Sequence, residues 1–219
     1  MNTFGIILVR TSSIRLPEKC LLDFGGRPII EHVVDRALHF GFDPIICTTL
    51  EKSDDRLIDL FVGKSIKIFR GNTYDKLGRI KDACEKYKVN QFVSIDADDP
   101  FFCGEEIKRS MEMLIKGVDM VAPSPSSANG GATVGYSLSS DIIAKTCEGL
   151  DEGTDTEMMW SYIEQLPNLK AAPKFERLPG ALVPDHQPTA APSLRGSEPA
   201  VSTPVSGSLE ITCPPPNPV

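Results

Sequence analysis

The sequence predicts a three-layer α/β domain, a mostly parallel sheet with helices on both faces. Three observations carry that expectation. Apolar runs of strand length recur at Phe4–Val9, Pro44–Thr49, Ser65–Phe69 and Asn90–Ile95. Helix-like segments alternate with them, the pattern of parallel strands joined by crossover helices. The 219 residues also suffice for one sizeable core.

The elements follow in order. Phe4–Val9 is a buried strand, and Arg10–Lys19 is the loop that leaves it. Pro28 suits a first helical turn, where its missing N–H costs nothing. Ile29, Ile30, Val33, Val34, Ala37 and Leu38 share one helical face, and Gly41 is placed to cap the helix. Pro44–Thr49 is the second strand. Ser53 is expected to cap a short helix over 54–62, with acids at its positive end. Ser65–Phe69 is the third strand. Thr73 is the expected N-cap of a helix whose core face is Leu77, Ile80, Cys84 and Tyr87. Asn90–Ile95 is the fourth strand, and a helix over 105–116 and a strand over 118–122 follow. Residues 123–131, rich in Pro, Ser and Gly, form a loop. Thr133–Leu138 reads as a strand, Ile142–Cys147 and Thr156–Leu166 as helices, and Lys174–Leu178 as a last short strand.

The domain is expected over residues 1–180. Residues 181–219 hold nine of the eighteen prolines and no aromatic residue. Such a segment buries too little apolar surface to offset chain entropy, so it reads as a disordered tail.

Composition excludes several classes. A formal net charge of −7 gives no electrostatic case for a nucleic-acid or membrane partner. The six cysteines, at 20, 47, 84, 103, 147 and 213, show no CxxC pair or finger spacing. They read as reduced thiols of a cytoplasmic protein. No signal peptide and no run long enough to cross a membrane is evident. No G-x-G-x-x-G turn follows the first strand, which argues against a dinucleotide-binding oxidoreductase.

The chemistry concentrates in the first loop. Arg10, Arg15 and Lys19, with the hydroxyls of Ser12 and Ser13, leave the strand end where ligands bind in open α/β sheets. Arg forks two hydrogen bonds onto a phosphate, and Lys adds a compact charge. Residue types alone also allow a plain solvated loop; the ordering decides. Arg10-x-x-Ser13-x-Arg15-Leu16-Pro17-x-Lys19 after a first strand resembles the signature of the sugar cytidylyltransferases, including the acylneuraminate and 3-deoxy-manno-octulosonate types. Leu21-Leu22-x-x-Gly25-Gly26-Arg27-Pro28-Ile29-Ile30-Glu31-His32 resembles most the spore coat polysaccharide biosynthesis protein F group.

The resemblance spans about residues 4–178 and implies a nucleotide-diphospho-sugar transferase-like, Rossmann-like fold. It also implies a cytoplasmic, Mg²⁺-dependent enzyme that transfers CMP from CTP to an acidic sugar, releasing pyrophosphate, for surface polysaccharide synthesis. A homodimer is the assembly it suggests. Arg10 and Lys19 are the expected catalytic cations, with Ser12, Ser13 and Arg15 beside them on the phosphates. Asp75 and Arg79, in an Asp-x-Leu-x-Arg spacing, would lie near the nucleotide; a surface ion pair is the alternative. Asp98 and Asp99, in Asp96-Ala-Asp-Asp-Pro100, match the family's metal-binding acids. The alternative there is a turn with a helix cap. Tyr136 falls where the family has its sugar-side strand, though a core or edge tyrosine fits as well.

Two departures stand out. Glu18 replaces a usual glycine, losing easy access to positive φ and placing a carboxylate near the phosphate loop. The proline-rich segment stands where relatives supply a further metal carboxylate, so the second acid is unassigned and turnover is expected to suffer. A relative that binds CTP or a CMP-sugar without turnover is the competing reading.

Overall fold

The computed structural model describes residues 3–12, 16–122 and 135–172. Its organising strand is β1, Thr3–Leu8. Strand β4, Phe42–Thr49, pairs parallel on one side of β1, and β6, Gln91–Asp96, pairs parallel on the other. Strand β5, Lys67–Gly71, extends the sheet parallel to β4. Beyond β6 the pattern changes. Strand β8, Ser137–Ser139, runs antiparallel to β6 and to β7, Met120–Val121. Strand β9, Ala171–Ala172, closes that edge parallel to β7. Among the described residues the order is β5-β4-β1-β6-β8-β7-β9. A small hairpin, β2 (Asp23–Phe24) with β3 (Arg27–Pro28), follows the first loop.

Helices cover both faces, so the central strands are apolar on both sides, as parallel strands must be. On one face Ile7, Ile46 and Ile95 pack with Val33 and Ala37 of α1 (Ile29–His39) and with Ile107 and Leu114 of α4 (Gly104–Ile115). On the other, Ile6, Ile45 and Phe92 pack with Leu77, Ile80 and Ala83 of α3 (Lys76–Tyr87) and with Ile142 and Ile143 of α5 (Ser140–Glu148). Neighbouring residues of one strand thus belong to different cores. Truncating a wholly buried one such as Ile7 to Ala costs about 2–5 kcal/mol. The expected three-layer fold is what the chain adopts.

Some local expectations are corrected. Ser53 caps no helix: a 3₁₀ turn, Lys52–Asp54, leads into a short α2, Asp55–Asp59, without a side-chain cap. Asp75, not Thr73, caps α3, its carboxylate accepting from Gly78 N. The helix expected over Thr156–Leu166 shrinks to α6, Trp160–Ile163, because Thr156 is drawn into side-chain bonding elsewhere. The strand expected at Thr133–Leu138 is the antiparallel β8, shifted towards Ser139; residues 133 and 134 lie outside the described residues. So do the loop 123–131, the strand expected at Lys174–Leu178 and the tail at 181–219. No helix among the described residues is long and apolar enough to cross a membrane. The five described cysteines are all free thiols.

Candidate active site

The parallel pairing aligns the C-terminal ends of β1, β4 and β6, placing Leu8 beside Cys47 and Asp96. A cleft of about 660 Å³ opens there. Its walls are the loop after β1, the end of β6, the first turn of α3 and residues 157–158.

The loop wall carries Arg10 and Lys19. Arg10 Nη2 lies 3.6 Å from Glu157 Oε1. Lys19 begins a 3₁₀ turn, Lys19–Leu21, and its ammonium is ion-paired with the Asp98 carboxylate, both side chains about one-third exposed. The loop base is tightly held. Thr11 N and Oγ1 donate to Asp54 Oδ1 at 2.8 and 2.6 Å. The other oxygen, Oδ2, accepts from Thr48 Oγ1 at 2.9 Å, Thr49 N at 3.2 Å and Thr49 Oγ1 at 2.5 Å. Asp54 is 1 % exposed. Burial alone would raise its carboxyl pKa, but the bonds from Thr11, Thr49 and Thr48 outweigh it and hold it below the usual range. Glu18 adopts φ +57°, the left-handed region, donates its N–H to Thr11 O at 2.9 Å and pairs its carboxylate with Arg56. The chain therefore takes the conformation a glycine would favour, and the acid is held by a partner of opposite charge.

The second wall is Asp96, Ala97 and Asp98. Crowding by protein, then the charge of Asp98, raises the Asp96 pKa; Lys76 and Lys19 oppose this. Asp99 N donates to Asp96 O at 3.2 Å, and Asp99 Oδ1 accepts from Phe101 N at 3.0 Å. Asp99 is thus held in a turn and is not among the residues lining the cleft.

The third wall is assembled across 81 residues of sequence. Asp75 Oδ1, while capping α3, accepts from Thr156 Oγ1 at 3.0 Å, and that hydroxyl accepts from Leu77 N at 2.8 Å. Thr156 N donates to Tyr74 O at 3.0 Å. This clamp brings Glu157 and Met158 to the cleft. Lys76 lines it too; burial lowers its pKa, and Glu157 and Asp96 oppose that effect. Arg79 is 3 % exposed and donates from Nη1 to Asn72 O at 2.8 Å, while its Nε has no hydrogen-bond partner among the described residues. A buried guanidinium left one donor short is costly unless something supplies an acceptor.

Of the expected site residues, Arg10, Lys19, Asp98 and Arg79 line one cleft. Ser12 lies exposed at the start of the loop; Ser13 and Arg15 lie outside the described residues. Asp75 is a cap and clamp rather than a member of a surface pair with Arg79. Tyr136 is not among the lining residues and is stacked on Trp160 with ring centroids 3.3 Å apart. The sequence reading missed Lys76, Glu157 and the role of Asp54. Lys76 adjoined the singled-out Asp75, a usable signal; nothing local marked Glu157.

Comparisons with known proteins bear on the family and the fold. Residues 4–135 match the family model described as Cytidylyltransferase. An uncharacterized protein of Methanocaldococcus jannaschii is 30% identical over 171 residues, 77% of this chain and 70% of that one. A 3-deoxy-manno-octulosonate cytidylyltransferase of Pseudoalteromonas atlantica is 28% identical over 116 residues, 52% of this chain but only 46% of the relative. Among solved structures, a cytidylyltransferase of Leptospira borgpetersenii superposes with a TM-score of 0.66 at 18% identity, covering 78% of this chain and 74% of that one. With a matched family region spanning more than half of its length and a cationic cleft at the expected strand ends, the chain belongs to the cytidylyltransferase family.

Proposed function

We propose that the protein transfers CMP from CTP to an acidic sugar, releasing pyrophosphate, in the manner of the spore coat F group and for a surface polysaccharide. The observation that supports it most is the convergence of Arg10, Lys19, Lys76 and Arg79 on one cleft, with Asp96 and Asp98 facing them. Phosphoryl transfer of this kind asks the protein mainly for position and countercharge. The anomeric hydroxyl of the sugar attacks the α-phosphorus in line, and pyrophosphate leaves with growing negative charge. Lys19 and Arg10 are assigned to that charge. Both hold carboxylate partners, Asp98 and Glu157, whose places triphosphate oxygens can take.

The donor set fits Mg²⁺. The ion takes one or two carboxylates, then substrate phosphates and waters. Asp98 with Asp96 offers two on one wall, and among the described residues no cluster of three His, Cys, Asp or Glu is present that would hold a metal by itself. We assign the metal to Asp98, with Asp96 beside it. When bound, Mg²⁺ would neutralise phosphate charge.

The test is a pyrophosphate-release screen with the four nucleoside triphosphates against a panel of 3-deoxy-2-keto acid sugars. Release with CTP and one of these sugars is the expected result. CTP binding without release on any sugar would instead support a binding protein without turnover, the reading that Glu18 and the proline-rich segment favoured.

A further inference from the structure

We propose that Asp54 is the positioning residue of this site, seating the loop that carries Arg10 and Lys19 so that both cations meet the phosphates; the inference rests on the nucleotide reading above. Asp54 lies outside the cleft, and no nucleotide contact is ascribed to it. Its carboxylate instead joins two parts of the chain 43 residues apart. Oδ1 takes both donors of Thr11, and Oδ2 takes Thr48 and Thr49 at the end of β4. Thr11 is also where the loop closes, since Glu18 N donates to Thr11 O. Arg10 immediately precedes this closed unit and Lys19 immediately follows it. A second tie runs from Glu18 to Arg56, two residues beyond Asp54. The 54–56 segment is thus the seat on which the loop rests, and the carboxylate is its buried bolt.

A buried ion with a full set of donors gives a fixed orientation, whereas a half-satisfied one does not. A loop whose two ends are already held loses less freedom when the ligand binds, which is how preorganisation becomes affinity. A charge misplaced by an ångström serves poorly, so a residue without substrate contact can still govern binding.

The experiment compares two variants of equal chemistry. Thr11→Val removes the hydroxyl on the loop side of Asp54, and Thr48→Val removes one on the strand side. Both thermal midpoints are expected to fall by similar amounts. The dissociation constant of Mg·CTP should rise about tenfold in Thr11→Val and less than twofold in Thr48→Val, and the KM for CTP should follow with a smaller change in kcat. Hydrogen exchange reads the seating without nucleotide: the amides of residue 11 and Glu18 should exchange faster in Thr11→Val alone. Asp54→Asn should show the larger form of the same effect if it folds. Equal effects of the two threonine variants on affinity, or unchanged exchange at Glu18 in Thr11→Val, would overturn the inference. A wild-type protein that binds no nucleoside triphosphate while the exchange rates still split overturns the nucleotide reading and leaves the seating intact.

Discussion

Removal of the Lys19 ammonium is the perturbation with the sharpest consequence. In the structure that ammonium faces Asp98 across the cleft, one-third exposed. A triphosphate oxygen about 4 Å away would interact with it by about 4 kcal/mol at an effective dielectric near 20. Against this stands the loss of the Lys19–Asp98 pair, worth about 0.2–1 kcal/mol at such exposure. The difference, about 3 kcal/mol, corresponds to about a 150-fold rise in the dissociation constant of Mg·CTP for Lys19→Ala. The fold should lose little, since one partly exposed pair disappears; a drop in thermal midpoint under about 4 °C is expected. Titration calorimetry at fixed Mg²⁺ measures the affinity, and a thermal scan checks the fold. Lys19→Arg, which keeps the charge, should stay within about tenfold of wild type. A Lys19→Ala protein that binds CTP within threefold of wild type would refute the placement of phosphates at this side chain, and with it the assignment of the loop.

Other changes have distinct readouts. Asp98→Asn should abolish the Mg²⁺ dependence of pyrophosphate release, or release itself, with an unchanged near-ultraviolet circular dichroism spectrum; full Mg²⁺-dependent activity would remove Asp98 from the metal site. Asp75→Ala loses a helix cap and the acceptor for Thr156 together, a cost of about 1–3 kcal/mol read as a lower urea midpoint. Stability should also fall in acid through Asp54. Its folded pKa is depressed, so its contribution is complete above the unfolded value near 4 and is lost as pH drops through the lower folded value. The thermal midpoint of wild type should therefore decline below about pH 4, and that of Asp54→Asn should decline less over the same interval.

How far the sequence foretold the molecule depends on distance along the chain. Core strands were legible because burial on both faces leaves an apolar run: Pro44–Thr49 was expected where Phe42–Thr49 is found. The cationic loop was legible because its residues are contiguous. Strand β8 was expected to begin four residues and end one residue before it does, because Ser137-Leu138-Ser139 has one apolar residue and the strand is held by neighbours on both edges. Asp54 read as an acid at a helix start, a local role that the short α2 does not use. Besides Thr48 and Thr49 nearby, it bonds Thr11, which lies 43 residues back. Glu157 escaped notice for the same reason, whereas Lys76 stood beside the singled-out Asp75 and was legible in principle. The wall they share exists only once Thr156 reaches Asp75, and no window of sequence contains both.

The sheet order carries a consequence for how the chain assembles. The four strands β5, β4, β1 and β6 come from the first 96 residues and can pair as they emerge. Past them, β7 is made before β8 yet sits outboard of it, so β7 cannot join the sheet until β8 bridges it to β6. Loop-closure entropy must be met before such non-local pairings are rewarded. The far edge is therefore the late-forming part, and until it forms β6 presents an open flank to neighbouring chains. Crowded synthesis at high expression is the setting in which that flank would matter most.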